Sequence, residues 1–355
     1  MVDQLAISLH GVRLELSTGR ADFLAFARAY LDPLLDRTDA SPDASPDVVV
    51  TLEWGAELAE GQPDLEQLGR RIWAGPQHLR YAEIWQAPGL QIDVDWRDGP
   101  HAPLTLRAAY AWPTRRARWF ARLMPWARER LFVALVYYLV YFPCAWWLEH
   151  RRGWTLVHAS AVAASDGGLV FSGLPGCGKS TTALATLDAP EWYVVSDNLL
   201  FTGGQRVHAC PEPIHVDDRT RALVGDLAGR VRPTGRRFSH QRQDYEITPD
   251  ARQPSTTPLA LGFLHVGRDT AVRPIDRLAA ARRLMSNDCL AKEWMAYQES
   301  AAAMHQVWPS IADHARRWQN VSALAQSVPC YDVTIARDGQ VQHAIQHVIQ
   351  VMLNG

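Results

Sequence analysis

Apolar and polar positions alternate weakly over residues 4–16, a pattern that predicts a strand. Residues 21–35, ADFLAFARAYLDPLL, carry apolar side chains at helical spacing instead. The duplicated ASPDASPD at 40–47 is rich in Pro and Asp and predicts a loop or linker. VVVTLE at 48–53 predicts a strand, and segments near 80–85, 90–95 and 103–110 have strand character. Residues 1–112 therefore read as an N-terminal α/β or mostly β domain, without a chemical motif.

A second block covers 113–153. RRARWFARLMPWARER at 115–130 is dense in Arg and aromatics, and LFVALVYYLVYFPCAWWL at 131–148 runs 18 residues without a charge. A bilayer-spanning helix needs about 20 apolar residues, so length alone does not decide. Pro143 interrupts the run and EHRRG follows at once, which favours a buried core helix. The other reading is an interfacial helix whose Arg-rich lead rests on lipid headgroups.

From 154 the pattern changes. WTLVHASAVAAS and GGLVFSG predict two strands, and the second ends in a glycine loop. STTALATL at 180–187 predicts a helix, and WYVVSDNLLFT at 192–202 a buried strand with a polar break. Strand, loop, helix, strand is the order of a nucleotide-binding α/β core. Further strands are expected at 259–266 and 329–336, and helices at 275–286, 290–304 and 341–353.

Composition narrows the class. Apolar residues make up 47% and charged residues 21%, which suits a soluble globular chain. A net charge of −2 gives no basic field, so no nucleic-acid partner is expected. The five cysteines (Cys144, Cys177, Cys210, Cys289 and Cys330) are scattered, with no CxxC pair. That argues against a disulfide framework or a zinc site. With nothing resembling a signal peptide, the expected location is the cytoplasm, with no membrane partner. A homo-oligomer is left open. Most of the 14 Trp lie before residue 155 and read as packing residues.

Of 36 Lys and Arg residues only Lys179 and Lys292 are Lys. Lys179 lies in GLPGCGKS at 173–180, which matches G-x-x-x-x-G-K-[ST] through Gly173, Gly178, Lys179 and Ser180. In such a loop the glycines let successive backbone N–H groups aim at phosphate oxygens. The helix that follows adds its positive N-terminal dipole. Lys179 is expected to reach the β and γ phosphates and Ser180 to ligate Mg²⁺. Leu174, Pro175, Gly176, Cys177 and Thr181 complete the expected ATP-binding set. Cys177 contributes mainly its backbone N–H, and no redox role is expected of it.

Ser196-Asp197-Asn198 ends the next apolar strand, where a carboxylate faces the same crevice as the loop. Asp197 could hold Mg²⁺ through water or take a proton from an attacking hydroxyl. A capping or turn Asp is the plainer reading. Arg236, Arg237, His240 and Arg242 form a basic cluster that reads either as a phosphate clamp or as a solvated loop.

HASAVA, FSGLPGCGKSTTALATL and YVVSDNLLF together resemble the catalytic core of the HPr kinase-like family. That family includes the kinases that modify lasso peptides and is structurally akin to phosphoenolpyruvate carboxykinase. The resemblance covers about residues 154–216. It implies a P-loop α/β kinase domain over 154–355, behind the N-terminal α/β domain. It implies transfer of the γ-phosphate of ATP to a hydroxyl, most often of a serine. Asp197 would be the general base, His158 would lie near the transferred phosphate, and Glu212 in CPEPIHVDD would help hold the metal. The chain departs from HPr kinases in carrying Asn198 where they have a second Asp, and in lacking their glycine-containing signature. The acceptor is expected to be a Ser/Thr of a peptide or protein. A small-molecule hydroxyl is the alternative, as is a nucleotide-dependent switch or ATPase without transfer.

Overall fold

In the computed structural model the described residues are 3–34, 45–55, 58, 65–82, 84, 86–96, 102–224, 229–239, 242–291, 295–299, 301, 304, 314–336 and 341–354. They fall into two units: Met1–Arg152 with Ala296–Asp313, and Gly153–Met295 with His314–Gly355.

The first unit is built on an eight-stranded mixed sheet in the order β1-β2-β3-β8-β7-β6-β5-β4. Its strands are β1 Asp3–Leu9, β2 Val12–Thr18, β3 Val48–Trp54, β4 Glu66–Gly69, β5 Ile72–Gly75, β6 His78–Tyr81, β7 Leu90–Asp95 and β8 Leu104–Tyr110. The region 4–16, expected as one strand, is a hairpin of β1 and β2 turning at His10 and Gly11. Along β2 burial alternates residue by residue, as a strand with one face on the core requires. Helix α1, Ala21–Tyr30, carries the chain from β2 to its parallel neighbour β3. Most of the ASPDASPD linker lies outside the described residues, and Asp47 at its end accepts the Arg13 N–H at 2.9 Å.

The uncharged run 131–148 belongs to a helix that starts at Pro125 and ends at Arg152 and is long and apolar enough to cross a membrane. Its apolar stretch is wholly buried inside the protein. Helix α2, Arg115–Leu123, precedes it, and the long helix is α3, Pro125–Arg152. Phe132 of α3 lies 5.3 Å from Phe23 and 6.1 Å from Trp54, ring to ring. Pro143 does not end the helix. It has no N–H for the Leu139 carbonyl. Just before it the chain widens into a π-turn, Tyr137–Tyr141, closed by the Phe142 N–H on the Tyr137 carbonyl.

The second unit carries a nine-stranded sheet. Its strands are β9 Thr155–Ala164, β10 Gly167–Ser172, β11 Tyr193–Ser196, β12 Leu199–Thr202 and β13 Val207–Ala209, with four more after a separate three-stranded sheet. That smaller sheet has the order β14-β16-β15 and consists of β14 Ile214–Asp217, β15 Val231–Ser239 and β16 Arg242–Ile247. The large sheet resumes with β17 Ser255–Thr256, β18 Pro258–Gly267, β19 Ala271–Pro274 and β20 Cys330–Ala336. Among its described strands β10–β18 and β18–β20 pair in parallel. The polar SDN break splits residues 192–202 into β11 and β12, both antiparallel to β9.

Strands β9 and β10 are buried on both faces, so their pleat divides the core in two. Leu169 and Phe171 point to a layer holding helices α4, Lys179–Thr186, and α5, Val341–Asn354. Val157, Ala159 and Val170 point to the opposite layer, with the helices Arg277–Leu290 and His314–Ser327. The helix expected at 290–304 is described only in part: residues 295–299 are helical, and 292–294 and 300 lie outside the described set.

Candidate functional site

Strand β10 ends at Ser172 and α4 begins at Lys179, so the six residues between them form a loop on the rim of the sheet. Gly176 and Gly178 adopt positive φ of 83° and 99°, which L side chains rarely allow. Gly178 is the N-cap of α4. Gly173 is constrained by space: a Cβ there would sit 2.6 Å from the Cys177 sulfur and 2.8 Å from the Leu264 carbonyl oxygen. Leu174, Pro175 and Gly176 are exposed, whereas Cys177 and Lys179 are buried. Lys179 Nζ donates to the Gly173 carbonyl at 2.8 Å and reaches the Leu174 carbonyl at 3.5 Å. Thr181 Oγ1 lies 3.2 Å from Thr220 Oγ1, which ties the first turn of α4 to the helix after β14.

Asp197 follows β11 directly. The Ser180 hydroxyl donates to Asp197 Oδ2 at 2.9 Å. Asp197 is buried, and its Oδ1 has no hydrogen-bond partner among the described residues. Burial pushes its carboxyl above the usual range, while the Ser180 hydrogen bond and the charges of Lys179 and His215 pull it back. Among the described residues no group of three or more His, Cys, Asp or Glu side chains could hold a metal by itself. A Ser hydroxyl and a carboxylate on one side, with phosphates on the other, fit Mg²⁺, which often takes only one or two protein ligands.

His158 lies on β9, opposite Leu199 of β12. Its Nε2 is 3.1 Å from Asn198 Oδ1. Burial and the Lys179 charge lower its pKa to about 3, so the imidazole is neutral at physiological pH. Asn198 thus orients this histidine. Lys179, Ser180, Asp197, Asn198 and His158 are brought together. Glu212 is buried on the connection from β13 to β14. In the basic cluster Arg236 approaches Asp244 at 3.6 Å, and His240 lies outside the described residues.

Two acids absent from the sequence reading frame the site. Asp288, fully buried on the helix Arg277–Leu290, accepts the His158 backbone N–H at 2.7 Å. Burial pushes its carboxyl up to about 8, against the pull of that N–H, Arg317 and Lys179. Asp244 on β16 sits 2.8 Å from His215 Nδ1, and His215 in turn acts on Asp197.

No family model matches the chain, and no curated protein matches it. Among solved structures it is similar to the Hpr(Ser) kinase/phosphatase from Coxiella burnetii, at 11% identity and a TM-score of 0.28, over 57% of this chain and 99% of that one. A TM-score of that size settles neither fold nor activity.

Proposed function

We propose that this chain is an ATP-dependent kinase that transfers the γ-phosphate to a hydroxyl, most often a Ser or Thr of a peptide or protein. The observation that carries the reading is the 2.9 Å hydrogen bond from Ser180 to a buried Asp197 at the mouth of the glycine loop. In this reading residues 173–181 bind the triphosphate through backbone N–H groups and the N-terminus of α4. Lys179 leaves the loop carbonyls for the β and γ phosphates. Ser180 would hold Mg²⁺, with Asp197 beside it and Glu212 as a further candidate; the ion would supply positive charge against the phosphates.

Asp197 then takes the proton of the acceptor hydroxyl as its oxygen bonds to the γ-phosphorus and ADP leaves. A carboxyl lifted by burial is a better proton acceptor than an exposed one. Neutral His158 supplies hydrogen bonding rather than positive charge.

The test is incubation with γ-labelled ATP and the products of neighbouring genes, followed by mass spectrometry, with Lys179→Ala as control. Label on a peptide or protein hydroxyl, lost in the control, is expected. Label on a metabolite would move the acceptor to the small-molecule class. Release to water alone would leave an ATPase.

A further inference from the structure

The first unit holds a cavity of about 470 Å³ lined by Arg20, Arg118, Arg122 and Arg128, with Trp54 and Trp112 beside them and no acidic residue among the described residues of its lining. The four guanidiniums are not equivalent. Arg20 lies over the Trp54 ring, 4.7 Å from its centroid, and is engaged by Asp22 at 2.6 and 3.1 Å. Arg128 approaches the same carboxylate at 3.9 Å. Arg118 and Arg122, one turn apart on α2, have no hydrogen-bond or carboxylate partner among the described residues.

Thr114 caps α2, its hydroxyl accepting the Ala117 N–H at 3.0 Å, and Arg122 stands in the last turn, where the dipole favours a cation, but neither accounts for the other arginines. Arg115 and Arg116 stand in its first turn, where the helix dipole disfavours cations, and no acid offsets them. Arg118 and Arg122 form a like-charge i,i+4 pair. Only Ala121 of the helix is buried. Trp119 and Leu123 face outward, 66% and 54% exposed, while Phe120 packs edge-on against Trp126 at 5.8 Å. The helix thus presents two unpaired guanidiniums to a concave, Trp-walled space and an apolar row along its outer side.

We infer that this cleft, together with the exposed apolar row beside it on α2, is a docking site for an acidic peptide segment, with Asp or Glu carboxylates entering the cleft at Arg118 and Arg122 and apolar side chains lying outside it against Trp119 and Leu123. Guanidinium forks match carboxylates in bidentate geometry, and a volume of this size suits a few side chains. A flat bilayer would meet the outer apolar row but would not fill a recess walled by Trp54 and Trp112. That the docked peptide is also the phosphate acceptor rests on the kinase reading. The docking itself does not.

The experiment is fluorescence anisotropy with the full chain, without nucleotide. The probes are a short labelled peptide of alternating Glu and Leu and its Gln/Leu counterpart, with phosphatidylserine vesicles as a separate arm. The Glu/Leu peptide should bind at least about tenfold more tightly than the Gln/Leu peptide and weaken as salt is raised. The double variant Arg118→Ala/Arg122→Ala, at exposed positions, should lose about the same factor while its melting temperature stays near wild type. Equal binding of both peptides, no binding, or full binding by the double variant would overturn the inference. So would vesicle binding that the Glu/Leu peptide does not displace, which would give the patch to a membrane surface. Because no nucleotide is present, loss of this site and loss of kinase activity are read separately.

Discussion

Ser180 and Asp197 come from different elements, 17 residues apart, and meet through one 2.9 Å hydrogen bond. Ser180 is the second residue of α4, and Asp197 is the first residue beyond β11. The loop that shapes the start of α4 and the strand that aims Asp197 therefore converge on one point.

Gly173→Ala should damage the loop through packing and through the backbone, whose φ of 154° at this position L side chains rarely adopt. The added methyl would press on the Cys177 sulfur and on the Leu264 carbonyl, and the second is backbone and cannot yield cheaply. Overpacking of this kind costs about 1–3 kcal/mol. Thermal melting should show a loss in that range, with weaker nucleotide binding. The double variant Gly173→Ala/Cys177→Ala should recover only part of it, because the carbonyl contact remains. A single variant with wild-type melting would show that the loop tolerates a Cβ there.

The strand–loop–helix–strand order was legible because each piece has a local signal: an apolar run, glycines, a helical period, then a second apolar run. Asp197 was legible because a polar residue ending a buried strand stands out. Asp288 was not singled out, since only tertiary contact places it under the His158 backbone. A signal existed: Ala280, Ala281, Leu284 and Asp288 are all buried at helical spacing, so an acid occupies a core stripe. The β1–β2 hairpin is not legible in the pattern because His10 and Gly11 interrupt the alternation for only two residues. The long apolar helix was ambiguous by length, and the packing of its aromatics decides that its apolar stretch is interior.

Leu139→Ala in α3 tests that interior placement. Leu139 is fully buried, so truncation should leave a cavity and cost about 2–5 kcal/mol. Denaturant unfolding of the detergent-free chain would measure it. A near-neutral result would mean that this face of the helix meets lipid or water rather than protein.

Asp288 sets a pH dependence of stability. Its folded pKa of about 8 lies above the ordinary 3.8, so the folded chain holds a proton that the unfolded chain has released. Stability therefore falls as pH rises through that window. His158 works the other way: with a folded pKa of about 3 against 6.5, its contribution is complete above pH 6.5 and is lost as pH falls. The two oppose each other in mild acid, and between pH 6.5 and 8 Asp288 acts without His158. Asp197, raised by burial, adds in the same sense as Asp288. Asp288→Asn keeps an acceptor for the His158 N–H and removes the charge. Its melting temperature should fall less than wild type between pH 6.5 and 8. An unchanged slope would place the titration elsewhere.

Asp197→Asn separates base from metal ligand. The triphosphate is held in this reading by backbone N–H groups and Lys179, so ground-state binding needs little from Asp197. Asn is nearly isosteric and still accepts the Ser180 hydrogen bond through its carbonyl oxygen, so the loop should keep its shape. What it cannot do is take the acceptor proton. General-base help is typically worth about 10²–10⁴-fold, so turnover should drop by about that factor while the nucleotide dissociation constant stays near wild type. Isothermal titration with ATP–Mg²⁺ beside steady-state kinetics would show it. If binding of ATP–Mg²⁺ and turnover fall together, Asp197 is chiefly a metal ligand and the proton goes elsewhere. If neither falls, the Ser180–Asp197 pair is structural and the reaction centre is not at this loop.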